Sequence, residues 1–532
     1  MGTNQAELST SAWRPLRQPL FRALWIAAAI SNIGTLMQNV GAAWLMTSLA
    51  ASPLMVALVQ TATTLPVFML ALPAGALADV VDRRRVLLFT QGWMLAAAAG
   101  LGLLTLLGAT TPQVLLALTF ILGLGAAMNA PAWQAIVPEL VDRAELPAAV
   151  ALNSVGFNLA RAVGPALGGL VVAAAGAGVV FLLNAASFLG VIVVLFYWER
   201  PSQKSLLPAE RMLGAIRTGV RYVRHTPVLR AVLLRAGAFA LFGTALLALL
   251  PVLARNELGL GAVGYGVLLG AFGVGAIVGA AILPKIRRRI SVDLLAHGAI
   301  AIFTAVVIAV AYLRSFGFIC GVMVAGGVAW LTLLSIFNTS IQVVVPSWVR
   351  GRALALYLLI FFGAMAGSGA LWGMVAEFLG IPLTLLCTAA GLVTGLFVTG
   401  RFPMTPEKEL DVTPSMHWPE HNIMIRLQPG DGPVLVTVEY IIDPERAQDF
   451  RMAMRALGRV RRRDGAIRWG LFHDTANPGR FFETFIVESW AEHLRQHERI
   501  TVADREAERH ARSFQINGKP PVVSHLISDG GL

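Results

Sequence analysis

Gly75-Ala-Leu-Ala-Asp79-Val-Val-Asp82-Arg83-Arg84-Arg85-Val86 lies between two long apolar runs and decides the fold. Five charges share a connection of a few residues. In hydrocarbon each would cost roughly 2.5–3.5 kcal/mol at a helix centre, so the connection belongs at a membrane face. The three arginines select the cytoplasmic face, where short loops collect Lys and Arg. Gly75 lets two helix ends approach, Asp79 is placed to cap or pair near a helix end, and the arginines can reach acidic partners or lipid headgroups.

The composition agrees. Of 532 residues, 56% are hydrophobic and 14% charged, with a mean hydropathy of +0.69; a soluble enzyme carries about a quarter charged. The net charge of +12 is concentrated in loops beside apolar runs, which fits the inner leaflet and not nucleic acid. Cys320 and Cys387 sit inside apolar runs, with neither metal spacing nor a disulfide framework, and read as buried thiols. The first twenty residues are polar and lead to Arg14, Arg17 and Arg22, with no cleavable signal, so a cytoplasmic N-terminus is expected.

The apolar region divides into twelve spans, each near the ~20 residues that cross a bilayer: 22–48, 53–78, 86–108, 112–138, 148–174, 177–198, 227–254, 260–284, 292–313, 317–345, 354–379 and 382–402. The charges test this division. Connections around Ala50, Thr110 and Gly176 hold no Lys or Arg, and later outer connections hold only Arg255 and Arg314. The alternate ones carry Arg83 to Arg85, Arg143, a basic segment from Arg200 to Arg230, Lys285 with Arg287 to Arg289, and Arg350 with Arg352. An even number of spans puts both termini in the cytoplasm.

The chain also repeats. Spans four and ten end in Gln134-Ala-Ile-Val-Pro138 and Gln342-Val-Val-Val-Pro346, each preceded by an asparagine, Asn129 or Asn338. Gly279 through Arg289 echoes the opening loop. Two six-helix halves are implied, 22–198 and 227–402, after an N-terminal segment 1–21. Residues 199–226 connect them as an amphipathic helix on the inner surface.

The opening loop resembles the signature loop of the major facilitator superfamily, Gly-x-Leu-Ala-Asp-Arg-x-Gly-Arg-Lys. Gly75, Leu77, Asp79, Arg83 and Arg84 match, while Val80 and Asp82 replace an arginine and a glycine. In span five, Arg161-Ala-Val-Gly164-Pro165-Ala-Leu-Gly168-Gly169 resembles a motif of the superfamily's drug-proton antiporters, with Ala160 in place of its opening glycine. Gly164 and Gly168 make a small-xxx-small face, and Pro165 frees a carbonyl and softens the helix. Ordinary tight packing is the plainer explanation of the same residues; the resemblance adds a bias toward export.

Intramembrane polar residues point to a substrate path, because lipid penalises them. Asn32, Thr35 and Asn39 share a face of span one; Gln60, Asn129, Gln134, Asn158, Asn338 and Gln342 add further amides. Each alone is equally an interhelical hydrogen bond. Together they suggest a largely apolar cavity for a small amphiphilic organic substrate. Arg161 is the main intramembrane charge; its alternatives are a cavity partner or a snorkelling pair near the inner leaflet. Glu377, Asp293 and His297 are the titratable groups near span ends, and none is selected as a proton carrier.

Beyond Pro403 the composition changes. Residues 403–432 read as a linker, and 433–530 as β-α-β-β-α-β, the ferredoxin-like plan. This tail resembles the antibiotic biosynthesis monooxygenase domain, whose members pair their sheets, so dimerisation through it is implied. His493 and His497 stand four apart and would need a third ligand to hold a metal; a solvated helix face explains them as well. Trp469, Trp490, Phe472, Phe481 and Phe482 read as core. No cofactor, metal or catalytic residue is assigned.

The expectation is therefore an all-α protein of twelve membrane helices with a C-terminal α+β ferredoxin-like domain. The whole chain resembles the transmembrane secretion effectors, relatives of the enterobactin exporter. That resemblance implies a proton-coupled exporter of siderophore-like or drug-like compounds in a bacterial inner membrane, in contact with lipid and not with nucleic acid. The rival readings are an importer and a membrane-tethered, cofactor-free oxidoreductase acting through the tail on a quinone-like substrate.

Overall fold

The computed structural model describes residues 13–142, 144–198, 212–404, 430–516 and 520–528, with 411, 413, 415 and 428. The apolar runs form twelve helices long and apolar enough to cross a membrane. The first six are α1 (Pro19–Leu49), α2 (Pro53–Val80), α3 (Arg83–Leu106), α4 (Pro112–Leu140), α5 (Leu146–Ala175) and α6 (Ala177–Tyr197). After a short helix, α7 (Met212–His225), the second six are α8 (Pro227–Val252), α9 (Ala262–Ile286), α10 (Val292–Tyr312), α11 (Phe316–Val344), α12 (Ser347–Leu379) and α13 (Ile381–Gly400). The two halves repeat a detail. Gly176 joins α5 to α6 and Gly380 joins α12 to α13, with φ of 84° and 75°. A side chain is disfavoured in that conformation, so a single glycine reverses the chain in each half.

The basic connection is tighter than its sequence suggests. Helix α2 continues through Gly75, Leu77 and Asp79, and the side chains of Leu77 and Asp79 lie outside the described residues. Only Val81 and Asp82 separate it from α3. Asp82, not Asp79, is the cap described here: its carboxylate accepts from the Arg85 amide at 2.9 Å. A carboxylate in the place of the family's glycine supplies an acceptor for one of the unsatisfied amides of α3. Arg83 to Arg85 thus form the first turn of α3 instead of a loop.

Both cysteines differ from expectation. Cys320 is half-buried and Cys387 exposed.

The chain divides into two compact units, Met1–Ala209 with Leu233–Phe337 and Tyr357–Arg401, and Glu210–Val232 with Asn338–Leu356 and Phe402–Leu532. In the second unit, β1 (Val434–Ile441), β2 (Arg468–His473), β3 (Arg480–Val487) and β4 (Val522–Ile527) form one sheet. Their order is β2-β3-β1-β4 and every pairing is antiparallel. The helices are α14 (Ala447–Asp464), α15 (Trp490–Arg499) and α16 (Val502–Arg512). The second helix of the expected plan is therefore two, because Thr501 starts α16 with a capping box closed by Asp504. Val436, Val438, Tyr440, Phe450, Leu457 and Phe485 are among its core residues.

Two segments expected to be plain connections are built into this unit. Residues 411, 413 and 415 lie beside the α15–α16 junction: Val502 and Ala503 donate to the Thr413 and Asp411 carbonyls, and the Ser415 amide donates to the Ile500 carbonyl. Helix α7 covers only part of 199–226, of which 199–211 lie outside the described residues. Its buried face meets protein. Tyr222 is 2% exposed, packs edge-on to Trp348 with ring centroids 5.7 Å apart, and lies under the Arg463 guanidinium at 5.4 Å. Arg221 bonds Glu492 at 3.2 Å, and Glu492 also takes Arg499, whose guanidinium covers Trp348 at 4.6 Å. Aromatic rings and a shared carboxylate offer an amphipathic helix more than a headgroup surface does.

Burial opposes the charge on Glu492, but hydrogen bonds from Arg499, then the charges of Arg499, Arg221 and Arg495, hold its carboxyl below the usual range. A depressed pKa contributes stability above the unfolded value, near 4.3, that is lost as pH falls through the folded one. Attachment of α7 should therefore weaken on acidification below about pH 4.3. Glu492→Gln should remove that dependence and speed amide exchange in α7 by about tenfold or more at neutral pH, as expected for losing a charged hydrogen bond of about 1.5–3 kcal/mol. Hydrogen-exchange mass spectrometry reads both; α7 protection indifferent to pH and to the substitution would refute the assignment.

Candidate functional site

On the end of the bundle that carries Asp82 to Arg85, hereafter the basic face, ion pairs tie the helices of the first half together. Arg83 bonds Glu139 at the end of α4 at 2.7 Å, and Arg84 donates to the Leu195 and Phe196 carbonyls at the end of α6. Arg14 pairs with Glu145, which precedes α5, at 2.9 Å. Arg83 thus finds the acidic partner expected from sequence, while Arg84 satisfies helix-end carbonyls.

Above this belt lies a cavity of about 1000 Å³. Six helices of the first half line it, with Leu331 and Leu334 of α11. Asn32, Thr35, Asn39, Asn129, Gln134, Asn158 and Arg161, all anticipated, are among its lining residues. Gln60, Asn338 and Gln342 are not. Gln60 falls in the stretch of α2 that meets α12, and Gln342 donates to Asn338 one turn away on α11.

Some of the lining is spent on interhelical bonds. Thr90 and Gln91 donate to the Asn129 carbonyl oxygen at 3.0 and 3.3 Å. Asn184, 1% exposed, donates to Gln38 at 2.5 Å and accepts from Thr35 at 3.5 Å and Ser187 at 3.2 Å. Asn184 and Gln38 hold α6 to α1, a pair the sequence reading did not single out. The signal was available: an amide in the otherwise apolar Phe181–Leu195 run must find a partner. Asn32, Asn39 and Gln134 line the cavity together with Trp25, Phe157 and Trp133. The surface is apolar with scattered donors and acceptors, as binding sites for organic molecules are.

The span-five motif reaches this cavity through Arg161. Gly164 and Gly168 face α1, where a Cβ would come 2.8 Å from Leu36 Cβ and 2.8 Å from Met37 Cα. Gly169 faces the Ala262 carbonyl and Gly266 of α9; in return a Cβ on Gly266 would sit 2.5 Å from the Pro165 carbonyl oxygen. Further along, Gly273 lies directly on the Arg161 carbonyl. Pro165 has no N–H, so that carbonyl lacks its helical donor and turns to the neighbouring backbone. The small face thus has two partners, α1 and α9, and α9 offers Gly266, Gly270 and Gly273 to it.

A second crossing repeats the device. Thr61 of α2 donates to the Ala366 carbonyl of α12 at 2.7 Å, and Gly369 and Gly373 receive Ala57 and Leu54. Both crossings lie from mid-helix toward the face opposite the basic one. There Arg255 also bonds Thr47 and Ser48 at 3.0 and 2.6 Å, and Ser52 donates to Glu377. The lining reaches Gln134, Val137 and Val150 toward the basic face and Ala42 and Thr119 toward the opposite one.

Outside the cavity, Arg235 is 2% exposed and pairs with Asp293 at 2.9 Å. In the tail, His493 meets His497 edge-on and His525 at a tilt, with ring centroids 5.0 and 4.7 Å away. No group of three metal-ligating side chains is positioned to hold an ion among the described residues. Phe481 and Trp490 are core as expected, whereas Phe472 is exposed.

The family model described as transmembrane secretion effector matches residues 10–530. The chain is 26% identical over 410 residues to a multidrug efflux pump, Tap, of Mycolicibacterium fortuitum, covering 75% of this chain and 99% of that protein. It is 27% identical over 410 residues to the enterobactin exporter EntS of Escherichia coli, covering 73% and 94%. Among solved structures, a bacterial homolog of the human lysosomal transporter Spinster, inward-facing and occupied, superposes with a TM-score of 0.57 at 16% identity, over 73% of this chain and 98% of that one. A bacterial homologue of the iron transporter ferroportin, inward-facing, gives 0.56 at 15%, over 72% and 98%. These structures share the fold, and the chain is a multi-pass membrane transporter.

Overpacking the α5–α9 contact should be costly. Gly266→Val should lower thermal stability by about 1–3 kcal/mol and reduce transport, because an added side chain must push the touching backbones apart. Gly298→Ala, where a Cβ meets nothing within 4 Å, should do neither. Thermal melting in detergent and vesicle uptake compare the two; equal behaviour would refute the crossing as the tight contact.

Proposed function

This chain belongs to the transmembrane secretion effector family of the major facilitator superfamily, and we propose that it is a secondary active exporter of amphiphilic organic compounds of siderophore or drug type. The observation that carries the reading is the cavity: about 1000 Å³, mainly apolar with scattered amides. A site that accepts bulky amphiphiles needs apolar area more than a dense polar shell. The names of the relatives, a multidrug efflux pump and an enterobactin exporter, support the outward direction.

In this proposal the arginine-rich basic face is cytoplasmic, both termini lie there, and the chain sits in a bacterial inner membrane. The state described is then inward-facing. Transport exchanges it for an outward-facing one by separating α5 from α9 and α2 from α12, while Gly75, Asp79, Arg83 and Arg84 act as the cytoplasmic latch. The proton gradient supplies the energy. Among the described lining residues there is no carboxylate or imidazole, so the proton travels elsewhere on the chain or on the cargo.

The tail is an accessory domain in this reading. Its strand order supports the ferredoxin-like plan and the likeness to the monooxygenase domain, and pairing of two tails through the sheet belongs to the proposal. The oxidoreductase alternative is not favoured. Glu483, fully buried between sheet and helices, is engaged by Arg461 at 3.2 Å, Trp469 at 2.9 Å and Tyr440 at 3.4 Å, a filled interior instead of a substrate chamber.

Cells expressing the chain should retain less of an amphiphilic dye or drug than controls, and a protonophore should abolish the difference. Retention unchanged across a broad panel would sink the exporter reading. A difference that survives the protonophore would sink proton coupling alone.

A further inference from the structure

The cavity holds one formal charge. Arg161 lines it, and no Asp, Glu, Lys or His does among the described residues. Its guanidinium lies 5.2 Å from the Phe157 ring, one turn earlier on α5. No carboxylate among the described residues forms an ion pair with it; the other intramembrane arginine, Arg235, has Asp293. A guanidinium at mid-membrane without a counter-ion is expensive, and the face of one aromatic ring returns only about 0.5–2 kcal/mol. An anion from outside the chain would offset that cost.

The backbone fixes where that anion sits. The Arg161 carbonyl is in the contact with Gly273, so the residue stands where the α5–α9 crossing begins, partway along a lining that runs on to Ala42 and Thr119. Trp25 and Trp133 line the same cavity on α1 and α4, offering apolar area to the rest of a ligand.

Resting on the exporter reading, we propose that the cargo is an anionic amphiphile, whose oxyanion (carboxylate, sulfonate, phosphate or ionised phenol) is bound by Arg161 beside Phe157 while its apolar body lies along the tryptophans. The planar guanidinium can take two oxygens at once, which makes Arg161 the residue that selects anions. Among the described lining residues there is no acid to pair with a cationic drug.

The test uses the full chain in neutral-lipid nanodiscs, with empty discs subtracted. The probes are anilinonaphthalene sulfonate, phenylnaphthylamine (the same aromatic frame without the sulfonate) and cationic ethidium. The sulfonate should bind roughly 10–150-fold more tightly than the neutral probe, the equivalent of one charged hydrogen-bond pair. Arg161→Gln should bring it down to the affinity of the neutral probe, whose own binding stays unchanged and reports an intact cavity. If Arg161→Gln binds neither probe, Arg161→Lys decides: a retained anion preference supports the proposal and a lost one overturns it. Equal affinities in the wild type, or a preference that survives Arg161→Gln, overturn it too. Uptake into inside-out vesicles separates the two readings. Sulfonate bound with preference but never transported would sink the exporter and leave the anion site; ethidium transported with no anion preference would do the reverse.

Discussion

The contact on which the bundle depends is backbone against backbone, where α5 crosses α9 with no side chain between Gly266 and Pro165 or between Gly273 and Arg161. In lipid the apolar effect does not drive helices together, so association rests on van der Waals fit and weak polar contacts. Glycines permit the closest fit while burying little side-chain surface. Such a contact is tight when made and leaves no large apolar face exposed when opened. The α2–α12 crossing, with Gly369 and Gly373 against Ala57 and Leu54, has the same character in the complementary pair of helices. These two seams are the least sticky surfaces the chain can make, which suits a contact that must be undone.

Charge is distributed by the same constraint. On the basic face Arg83 has Glu139, Arg14 has Glu145, and Arg84 has the carbonyls of α6. On the opposite face the two arginines that break the alternation are engaged, Arg255 with Thr47 and Ser48 and Arg314 with Glu257 at 3.2 Å. Buried Arg235 has Asp293. Against this pattern of satisfied guanidiniums, Arg161 has the Phe157 ring and no carboxylate among the described residues. Its position in the cavity, not its sequence neighbourhood, separates it from the others.

The twelve helices were legible because hydrophobic length and loop charge are local quantities. The order of elements in the tail was legible too, through alternating strands and the Asp443-Pro444 and Asn477-Pro478 punctuation. Pairwise facts were not. Gly164 and Gly168 announce a close neighbour without naming α1, and the glycines at 266, 270 and 273 were visible but belong to a helix whose partner only packing decides. Polar residues misled in proportion to their availability for bonding: Thr35 and Asn129 line the cavity yet are occupied by Asn184, Thr90 and Gln91. Asp82 was taken as a departure from a motif when it is the cap of α3.

The connector and the tail carry the last consequence. Tyr222 of α7, Trp348 at the start of α12, and Arg463 and Arg499 of the tail form one cluster inside a single compact unit. Helix α7 is the bridge between the two halves, and Trp348 begins a helix that enters the second. Any rearrangement that draws α7 away from Trp348 must break contacts the tail makes with both. By linkage, what strengthens the tail's hold disfavours that rearrangement, and the rearrangement loosens the tail by the same free energy. The tail need not touch the cargo or perform chemistry to influence transport; it needs only to bind one arrangement of these two elements better than another.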